Sequence, residues 1–465
     1  MNSYKKLHFE ISERKILLKI VDVFVVLLFL HGISNFFNFD YFSIFSSSNY
    51  FRILILAIYL LLFASVFEMY NLQVASNSFQ TIRSIILTTS VTVLAYLLTP
   101  ILTPELPSNR LQIIVFYATI FLALLLWRTF YIQFFASQRF SKKAILICDE
   151  DQVIELMQNI EKADMYYKIV GFVSSENQCN IKIKSKQVSC IQFAEIETFV
   201  KANNVSEIVV ASQKVESITA ELYNQLIHLL ENGYNIREYT QLYENLTQRI
   251  PVQYVSRDFY RYFPFSRSNN NKLYLLISRM IDIIVSIIGL SIGALFLPLL
   301  IIGNLIGNRG KILYSQERIG KNGVAFTIYK YRTMVIDAEK NGAVFAQNND
   351  SRVTTFGKFL RKTRIDEFPQ FLNVLKGDMA LIGPRPERPI FVNKIAQIMP
   401  FYETRHIVKP GLTGWAQVNY PYGNSIQDSL VKLQYDLYYI KHRSLFLDVN
   451  IVLKTLSTVL FFRGQ

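Results

Sequence analysis

Four long apolar runs, at 16–33, 51–67, 82–102 and 111–132, precede the first extended polar stretch of the chain. Each is close to the roughly 20 residues a helix needs to cross about 30 Å of hydrocarbon. Lipid offers no partner to backbone N–H and C=O groups, so such runs fold as helices. A cleaved signal peptide would account for the first run alone. That run is long for the role, no small-residue cleavage site follows it, and similar runs come after. Four transmembrane helices are therefore expected over 1–140. Lys5, Lys6, Arg14 and Lys15 precede the first run, and Arg128, Arg139, Lys142 and Lys143 close the fourth, whereas 34–50 has no Lys or Arg. Positive charge favours the cytoplasmic side, so both ends of this block are expected there.

Composition narrows the partners. The chain has 49 Lys and Arg against 35 Asp and Glu, a formal +14, with 51% apolar and only 18% charged residues. A purely soluble or disordered chain is excluded by that balance. The positive excess suits phospholipid headgroups, phosphorylated substrates or nucleic acid. The membrane already accounts for it and no RNA- or DNA-binding motif is present, so no nucleic acid is expected. Cys148, Cys179 and Cys190 form no CxxC pair, and the five histidines have no metal-ligand spacing. Neither a disulfide framework nor a zinc site is expected, and a reducing compartment is the default.

From Lys143 the pattern changes. Segments 144–148, 169–173 and 207–211 read as short strands, and 191–203 and 218–232 as amphipathic helices, the second closed by Gly233. The alternation predicts a small Rossmann-like α/β domain over 141–262. The turn after its first strand, Cys148-Asp149-Glu150-Asp151, has no glycine and would repel a phosphate, so the dinucleotide fingerprint is missing. A packing or regulatory role is expected. A short Ser- and Asn-rich run at 266–271 reads as a linker.

The longest apolar stretch, 273–306, contains Arg279, Asp282 and Pro298. Arg261, Arg267, Lys272 and Arg279 stand at one end, and Arg309, Lys311 and Arg318 at the other. Both ends then prefer the cytoplasmic leaflet. Pro298 lacks an N–H and makes a kink available. A re-entrant membrane hairpin over 271–306 is expected in place of a fifth span.

Beyond it, 312–318 and 325–331 read as strands of a hairpin around Asn322-Gly323, with Lys330, Arg332 and Thr333 at its exit. In DSRVTTFGKFLRKTRIDEFPQFLNVLKGDMALIGPRPE, at 350–387, Asp366-Glu367 stands before Pro369. Proline and Gly377 bracket a short helix, about 367–376, which puts Asp366 at or near its N-cap. A capping Asp is worth about 1 kcal/mol. The same place suits a carboxylate pair facing a phosphate, one attacking and one holding a metal or a proton. Arg352, Lys358, Arg361, Lys362 and Arg364 precede the pair, and the stiff Gly383-Pro384-Arg385-Pro386 turn pins one arginine after it. These cations suit a phosphorylated substrate or a headgroup-facing surface. KPGLTGWAQ at 409–417 reads as a cleft wall or as a packed turn around a core Trp415. Tyr435, Asp436, Tyr438 and Tyr439 read as structural or interfacial.

Residues 273–465 resemble the bacterial sugar transferase family, the monotopic phosphoglycosyl transferases. The resemblance rests on SRMIDIIVS at 278–286, QERIGKNG at 316–323, YKYRTM at 329–334, 352–379 in full, IGPRPE at 382–387, KPGLTGWAQV at 409–418 and YDLYYI at 435–440. The spans and α/β domain before them resemble the long form, the layout of undecaprenyl-phosphate glucose phosphotransferases and exopolysaccharide polyprenyl glycosylphosphotransferases. The resemblance implies a membrane-associated α/β catalytic domain over 307–465 with a re-entrant helix. It implies transfer of a sugar-1-phosphate from a UDP-sugar donor to an undecaprenyl (polyprenyl) phosphate acceptor among the membrane lipid. UMP would be released on the cytoplasmic face of the bacterial inner membrane, initiating exopolysaccharide, capsule or O-antigen synthesis. By the same match Asp366 attacks the sugar-bearing phosphorus, Glu367 with Asp366 holds Mg²⁺, and Arg385 binds phosphate. Arg352, Arg361, Lys330 and Arg332 are expected to share the phosphate-binding role. Nearby cations are expected to keep the pKa of Asp366 low. The family's mid-helix proline falls on Pro298, but the serine often found before it is Leu297 here. A homo-oligomer is compatible with this layout, and a fragment beginning near Lys272 is expected to hold the whole catalytic part. The rivals are an ordinary lipid-directed glycosyltransferase and a non-catalytic scaffold of an export machine.

Overall fold

The apolar runs fold as helices α1 (Ile11–Phe37), α2 (Tyr50–Val66), α3 (Ser78–Leu98) and α4 (Leu111–Phe134). This computed structural model describes residues 11–37, 39, 41, 50–75, 78–134, 142–164, 167–174, 188–211, 219–254, 271–336, 338, 350–399, 401–420 and 425–460. Lys5, Lys6, Arg139, Arg261, Arg267, most of the 34–50 loop and all but Asn271 of the 266–271 linker lie outside the described residues. Glu13–Phe37, Ser78–Leu98 and Leu111–Phe134 are long and apolar enough to cross a membrane, and Tyr50–Val66 is apolar but shorter at 17 residues. The helices close on Leu18, Leu60, Ile85, Phe116, Ile120 and Leu124. They expose Ile20, Phe24, Leu54, Leu94 and Leu126, a surface suited to lipid. Inside, the Arg128 Nη2 donates to Asp22 Oδ2 at 2.6 Å. Charges withdrawn from water persist when paired.

The same compact unit, Met1–Leu242, contains the α/β layer. Strands β1 (Lys142–Cys148), β2 (Tyr167–Ser174), β3 (Ser189–Cys190), β4 (Glu207–Val210) and β5 (Asn235–Glu238) form one sheet in the order β3-β2-β1-β4-β5, every pair parallel. Helices α5 (Val153–Ala163), α6 (Ile196–Ala202) and α7 (Ala220–Glu231) connect them. The expected helix at 191–203 begins later, after β3 and a 3₁₀ turn at Phe193–Glu195. Strand β5 was not expected. It is a polar edge strand with one neighbour, so it carries no apolar run, and its Arg237 Nε pairs with Glu207 at 2.6 Å. Cys148 is a buried free thiol, whereas Cys190 is disulfide-bonded, against the expectation from spacing alone.

The second unit, Tyr243–Gln465, is built on α8 (Lys272–Gly307), 36 residues that remain helical through Pro298. The expected break at Pro298 does not interrupt the helical backbone. One missing N–H removes a single ladder bond, while contacts along the whole helix hold it. Asp282, Ser286, Gly289, Gly293, Leu300 and Asn304 are buried at helical spacing. The other side exposes Ile284, Ile288, Leu295, Leu299 and Ile302. A Cβ on Gly289 would stand 2.5 Å from the Phe371 ring, and one on Gly303 2.5 Å from the Phe356 ring, so both aromatic rings touch bare backbone. Arg279 donates to Val374 O at 2.6 Å and Leu375 O at 2.7 Å, and Asp282 Oδ1 accepts from Leu381 N at 2.9 Å.

Beyond α8 come the antiparallel hairpin β6 (Leu313–Ile319) and β7 (Ala325–Tyr331), with positive φ at Asn322 and Gly323 as its tight turn requires. Then follow α9 (Thr355–Thr363), α10 (Gln370–Lys376), β8 (Ala380–Ile382), α11 (Pro389–Ala396), β9 (Gly411–Thr413), α12 (Trp415–Asn419), α13 (Ile426–His442) and α14 (Leu445–Leu460). Strands β8 and β9 pair in parallel. The core gathers Phe391, Val392, Leu433, Leu437, Tyr439 and Ile451. Ile250 (1% exposed) and Val252 (3%) belong to it, although they precede the linker. Trp415 is buried there, its Nε1 donating to Gln248 O at 3.2 Å, and Ile250 N donates to Gln434 O at 3.1 Å. Trp415 is thus the centre of a packed turn, and a fragment begun at Lys272 would lack part of this core.

In the full chain, Ile250→Ala is expected to cost about 2–5 kcal/mol, as other buried aliphatic truncations do. Ile390→Ala, at an exposed position, should change stability by less than about 0.5 kcal/mol. Thermal unfolding in detergent compares the two; equal midpoints would show that residues 243–254 are not part of the core.

Candidate active site

Close backbone contacts place the charged side chains. A Cβ on Gly357 would stand 2.0 Å from the Thr333 carbonyl oxygen, so α9 is pressed against the exit of β7. Thr354 caps α9 by accepting from Gly357 N at 2.9 Å, and Arg361 Nε donates to Thr333 Oγ1 at 3.0 Å. Arg364 ends α9 with φ +60° and turns the chain into a 3₁₀ turn, Ile365–Glu367. Helix α10 starts only at Gln370, so Asp366 and Glu367 precede it, and neither turn nor helix has a side-chain cap. The expected capping role of Asp366 is thereby corrected. Pro369, directly before the helix, has no N–H for a cap to accept from. Asn373, fully buried, fixes α10 to β7: its Nδ2 donates to Thr327 O at 2.7 Å and its Oδ1 accepts from Tyr329 N at 3.2 Å. This registers Lys330 opposite the acids.

Asp366, Glu367, Arg385, Arg352, Arg361, Lys330 and Arg332 all line one cavity of about 340 Å³. Pro298, Lys358 and Lys362 are not in its lining. Sequence reasoning missed Arg318, Glu387, Arg388, Arg405 and Lys432, which complete it. Arg318 lies inside one recognised motif, Glu387 ends another and Arg388 directly follows it; Arg405 and Lys432 gave no local signal. The Arg405 Nη2 bonds Asp436 Oδ2 at 2.7 Å and the Arg385 carbonyl at 2.9 Å. Asp436 in YDLYYI therefore positions the turn that carries Arg385. A Cβ on Gly414 would stand 2.1 Å from Gly383 O, which explains why the GPRP and KPGLTG turns meet through glycine.

The two acids are in opposite electrostatic states. Glu367 Oε1 lies 3.1 Å from Arg385 Nη2 and 3.4 Å from Lys330 Nζ, and its Oε2 lies 3.4 Å from Arg364 Nη1. Burial alone would raise its pKa, but these cations outweigh burial and hold the carboxyl well below the usual range. Asp366 has no ion pair within 4 Å among the described residues. Burial pushes its carboxyl up, the neighbouring Glu367 charge adds to this, and Lys330, Arg361 and Arg385 only partly offset it. The low pKa expected for Asp366 is thus corrected: the cations are bonded to its neighbour.

Among the described residues no three His, Cys, Asp or Glu side chains converge on a metal position. Magnesium is commonly held by one or two carboxylates with phosphate and water completing its shell. Asp366, a hard oxygen donor without an ion pair, fits that requirement; Glu367 fits once a cation leaves one of its oxygens.

A cavity lined by this many cations, with one carboxylate ion-paired and its neighbour not, suits an anion. Residues 273–462 match the family model described as Bacterial sugar transferase. The chain is 43% identical over 223 residues to the UDP-N-acetylgalactosamine-undecaprenyl-phosphate N-acetylgalactosaminephosphotransferase of Aeromonas hydrophila, covering 47% of this chain and 51% of that protein. It is 48% identical over 153 residues to the putative undecaprenyl-phosphate N-acetylgalactosaminyl 1-phosphate transferase of Bacillus subtilis (strain 168), covering 32% of this chain and 86% of that protein. With the galactosyl transferase CpsE of Streptococcus agalactiae the match is 28% over 396 residues, 77% of this chain and 81% of that protein. The chain belongs to the bacterial sugar transferase family. It spans about half the length of the Aeromonas relative.

The electrostatics give a stability test. A buried acid with a raised pKa favours the protonated folded state, so its ionisation weakens folding as pH rises past the usual Asp value of about 4. Asp366→Asn should therefore unfold at a higher temperature than the wild type at pH 7–8, the gain vanishing below about pH 4. Glu367→Gln should do the reverse, losing about 1–3 kcal/mol at neutral pH by leaving three cations without their counter-charge. Midpoints against pH for the two variants check both signs; a neutral-pH loss in Asp366→Asn would contradict this picture.

Proposed function

We propose that this protein is a phosphoglycosyl transferase that moves a sugar-1-phosphate from a UDP-sugar to undecaprenyl phosphate. The single observation carrying the proposal is the asymmetric pair: Glu367 holds three cations, and Asp366, beside it in the same cavity, holds none. In the first step an Asp366 carboxylate oxygen attacks the sugar-bearing phosphorus of the donor. The bond from that phosphorus to the bridging oxygen breaks, and UMP leaves with the electron pair. In the second step a phosphate oxygen of the polyprenyl acceptor attacks the same phosphorus and releases the Asp366 carboxylate. Two displacements at one position spare the site from bringing two phosphate-bearing substrates into direct attack.

Arg385 and Lys330, now on Glu367, turn to the phosphoryl oxygens as charge develops there. Arg361 and Arg364 line the same cavity and add positive charge to it. Asp366 and Glu367 are the residues that would hold Mg²⁺, which would supply charge neutralisation when bound. The acceptor cannot leave the bilayer, so the site belongs at headgroup depth. A helix buried along one side against its own catalytic unit and apolar along the other supports a shallow seat in one leaflet. Basic flanks favour the cytoplasmic face of the inner membrane, and initiation of a surface polysaccharide follows from the product. The relatives' names include N-acetylgalactosamine and galactose, so a galacto-configured sugar is the first donor to try.

Purified protein given UDP-sugars and undecaprenyl phosphate should release UMP; release of UDP would mean ordinary glycosyl transfer and end the proposal. Donor labelled in the sugar, without acceptor, should leave label on the wild type and none on Asp366→Asn. Arg385→Ala should lower kcat by about 10²–10³-fold, as loss of a positioned charge donor does elsewhere.

A further inference from the structure

Helix α13 works on two sides. Ser429 and Lys432 line the cavity, and Asp436 Oδ2 holds Arg405 Nη2 at 2.7 Å. Tyr439 Oη donates to Ile382 O at 3.4 Å, directly before Gly383. At about 100° per residue these side chains share one face. Arg405 carries the position of that face to the site, because the same Nη2 donates to the Arg385 carbonyl at 2.9 Å. The guanidinium is buried, and its Nη1 donates to Tyr402 Oη at 2.7 Å, so a shift of α13 passes on to the Arg385 turn.

The other face of α13 is gripped by residues 243–254, which lie before the stretch matched by the family model, 273–462. Glu244 is buried; its Oε2 accepts from Lys441 Nζ at 2.8 Å and its Oε1 pairs with His442. Lys441 is turned about 180° from Lys432 at the helical pitch. Ile250 N donates to the Gln434 carbonyl at 3.1 Å, and Gln434 Nε2 donates to Gln253 Oε1 at 2.9 Å. The Arg249 guanidinium carbon lies 5.2 Å from the centre of the Tyr435 ring. The grip extends from Gln434 to His442, about 12 Å along the axis. Sliding or turning the helix would part buried Glu244 from Lys441 and break both Gln434 bonds, and a buried charge is costly to leave without its partner. Filling the core with Ile250 and Val252 requires none of these polar bonds.

We propose that residues 243–254 are a strap that sets the position of Arg385 from outside the family's own stretch. This inference rests on the transferase reading and deepens it. Glu244, Arg249 and Gln253 do not line the cavity. They are positioning residues: they hold α13 in register, and α13 holds the arginine through Asp436 and Arg405. A misplacement of about 1 Å at a reacting centre can cost about 10²-fold in rate, so loosening the strap slows the chemistry while the fold stands. A segment that only filled the core would slow the reaction by the same factor whatever residue stands at 385.

The test is a double-mutant cycle on the full chain in detergent, read as the single-turnover rate at which a saturating UDP-sugar, labelled in the sugar, labels the protein without acceptor. Glu244→Ala should slow labelling about tenfold in the otherwise wild-type chain, and by less than about twofold when Arg385→Ala is already present. Gln253→Ala should show the same pattern at about threefold, the scale of one neutral hydrogen bond. Gln253 is exposed, so its variant decides the matter if Glu244→Ala fails to fold. The same slowing with and without Arg385, or wild-type rates in the strap variants, would overturn the strap. A wild type that takes up no label from any donor would instead overturn the transferase reading itself.

Discussion

Arg279 donates to the Val374 and Leu375 carbonyls in the last turn of α10, and Asp282 accepts from the backbone N–H of Leu381, two residues before Gly383. A guanidinium and a carboxylate on a helix this apolar would be costly in hydrocarbon without partners. Here their partners are backbone groups of the catalytic unit, in the last turn of α10 and at β8, while Asp366 and Glu367 lie in the 3₁₀ turn that precedes α10. The same three bonds thus secure the apolar helix and fix both flanks of the site. Glycines 289 and 303 let aromatic rings of α10 and α9 seat directly on the helix backbone. These contacts lie on both sides of Pro298, where the backbone stays helical.

Much of the fold is legible in the sequence because it follows from periodicity. The apolar runs, the strand–helix alternation and the Asn322-Gly323 turn each rest on a local rule. What was not legible depends on contacts between distant segments. Pro298 announces a kink by local chemistry, but the buried stripe from Asp282 to Asn304 outweighs one lost hydrogen bond. Strand β5 is polar because it is an edge. Residues 243–254 read as the tail of the α/β domain, yet Ile250 and Val252 fill a core built mostly of α11, α13 and α14.

The site shows the same division. Asp366, Glu367, Arg385 and their cations were identifiable from motif and charge, and they share one cavity. Which acid is held ionised was not identifiable. That depends on Arg364 adopting φ +60° and on Lys330 arriving from a strand more than thirty residues earlier (|i−j| = 37), both decided in three dimensions. Arg405 carried no local signal, since its role is to join Asp436 to the Arg385 carbonyl across the unit.

The clamp on Glu367 has one more consequence. With Arg385, Lys330 and Arg364 all held by a single carboxylate, an incoming anion must offer more charge than that carboxylate to draw them away. A singly charged anion only matches it, while a multiply charged one exceeds it. The resting protein would then discriminate by valence, yielding these cations to a multiply charged anion more readily than to a singly charged one.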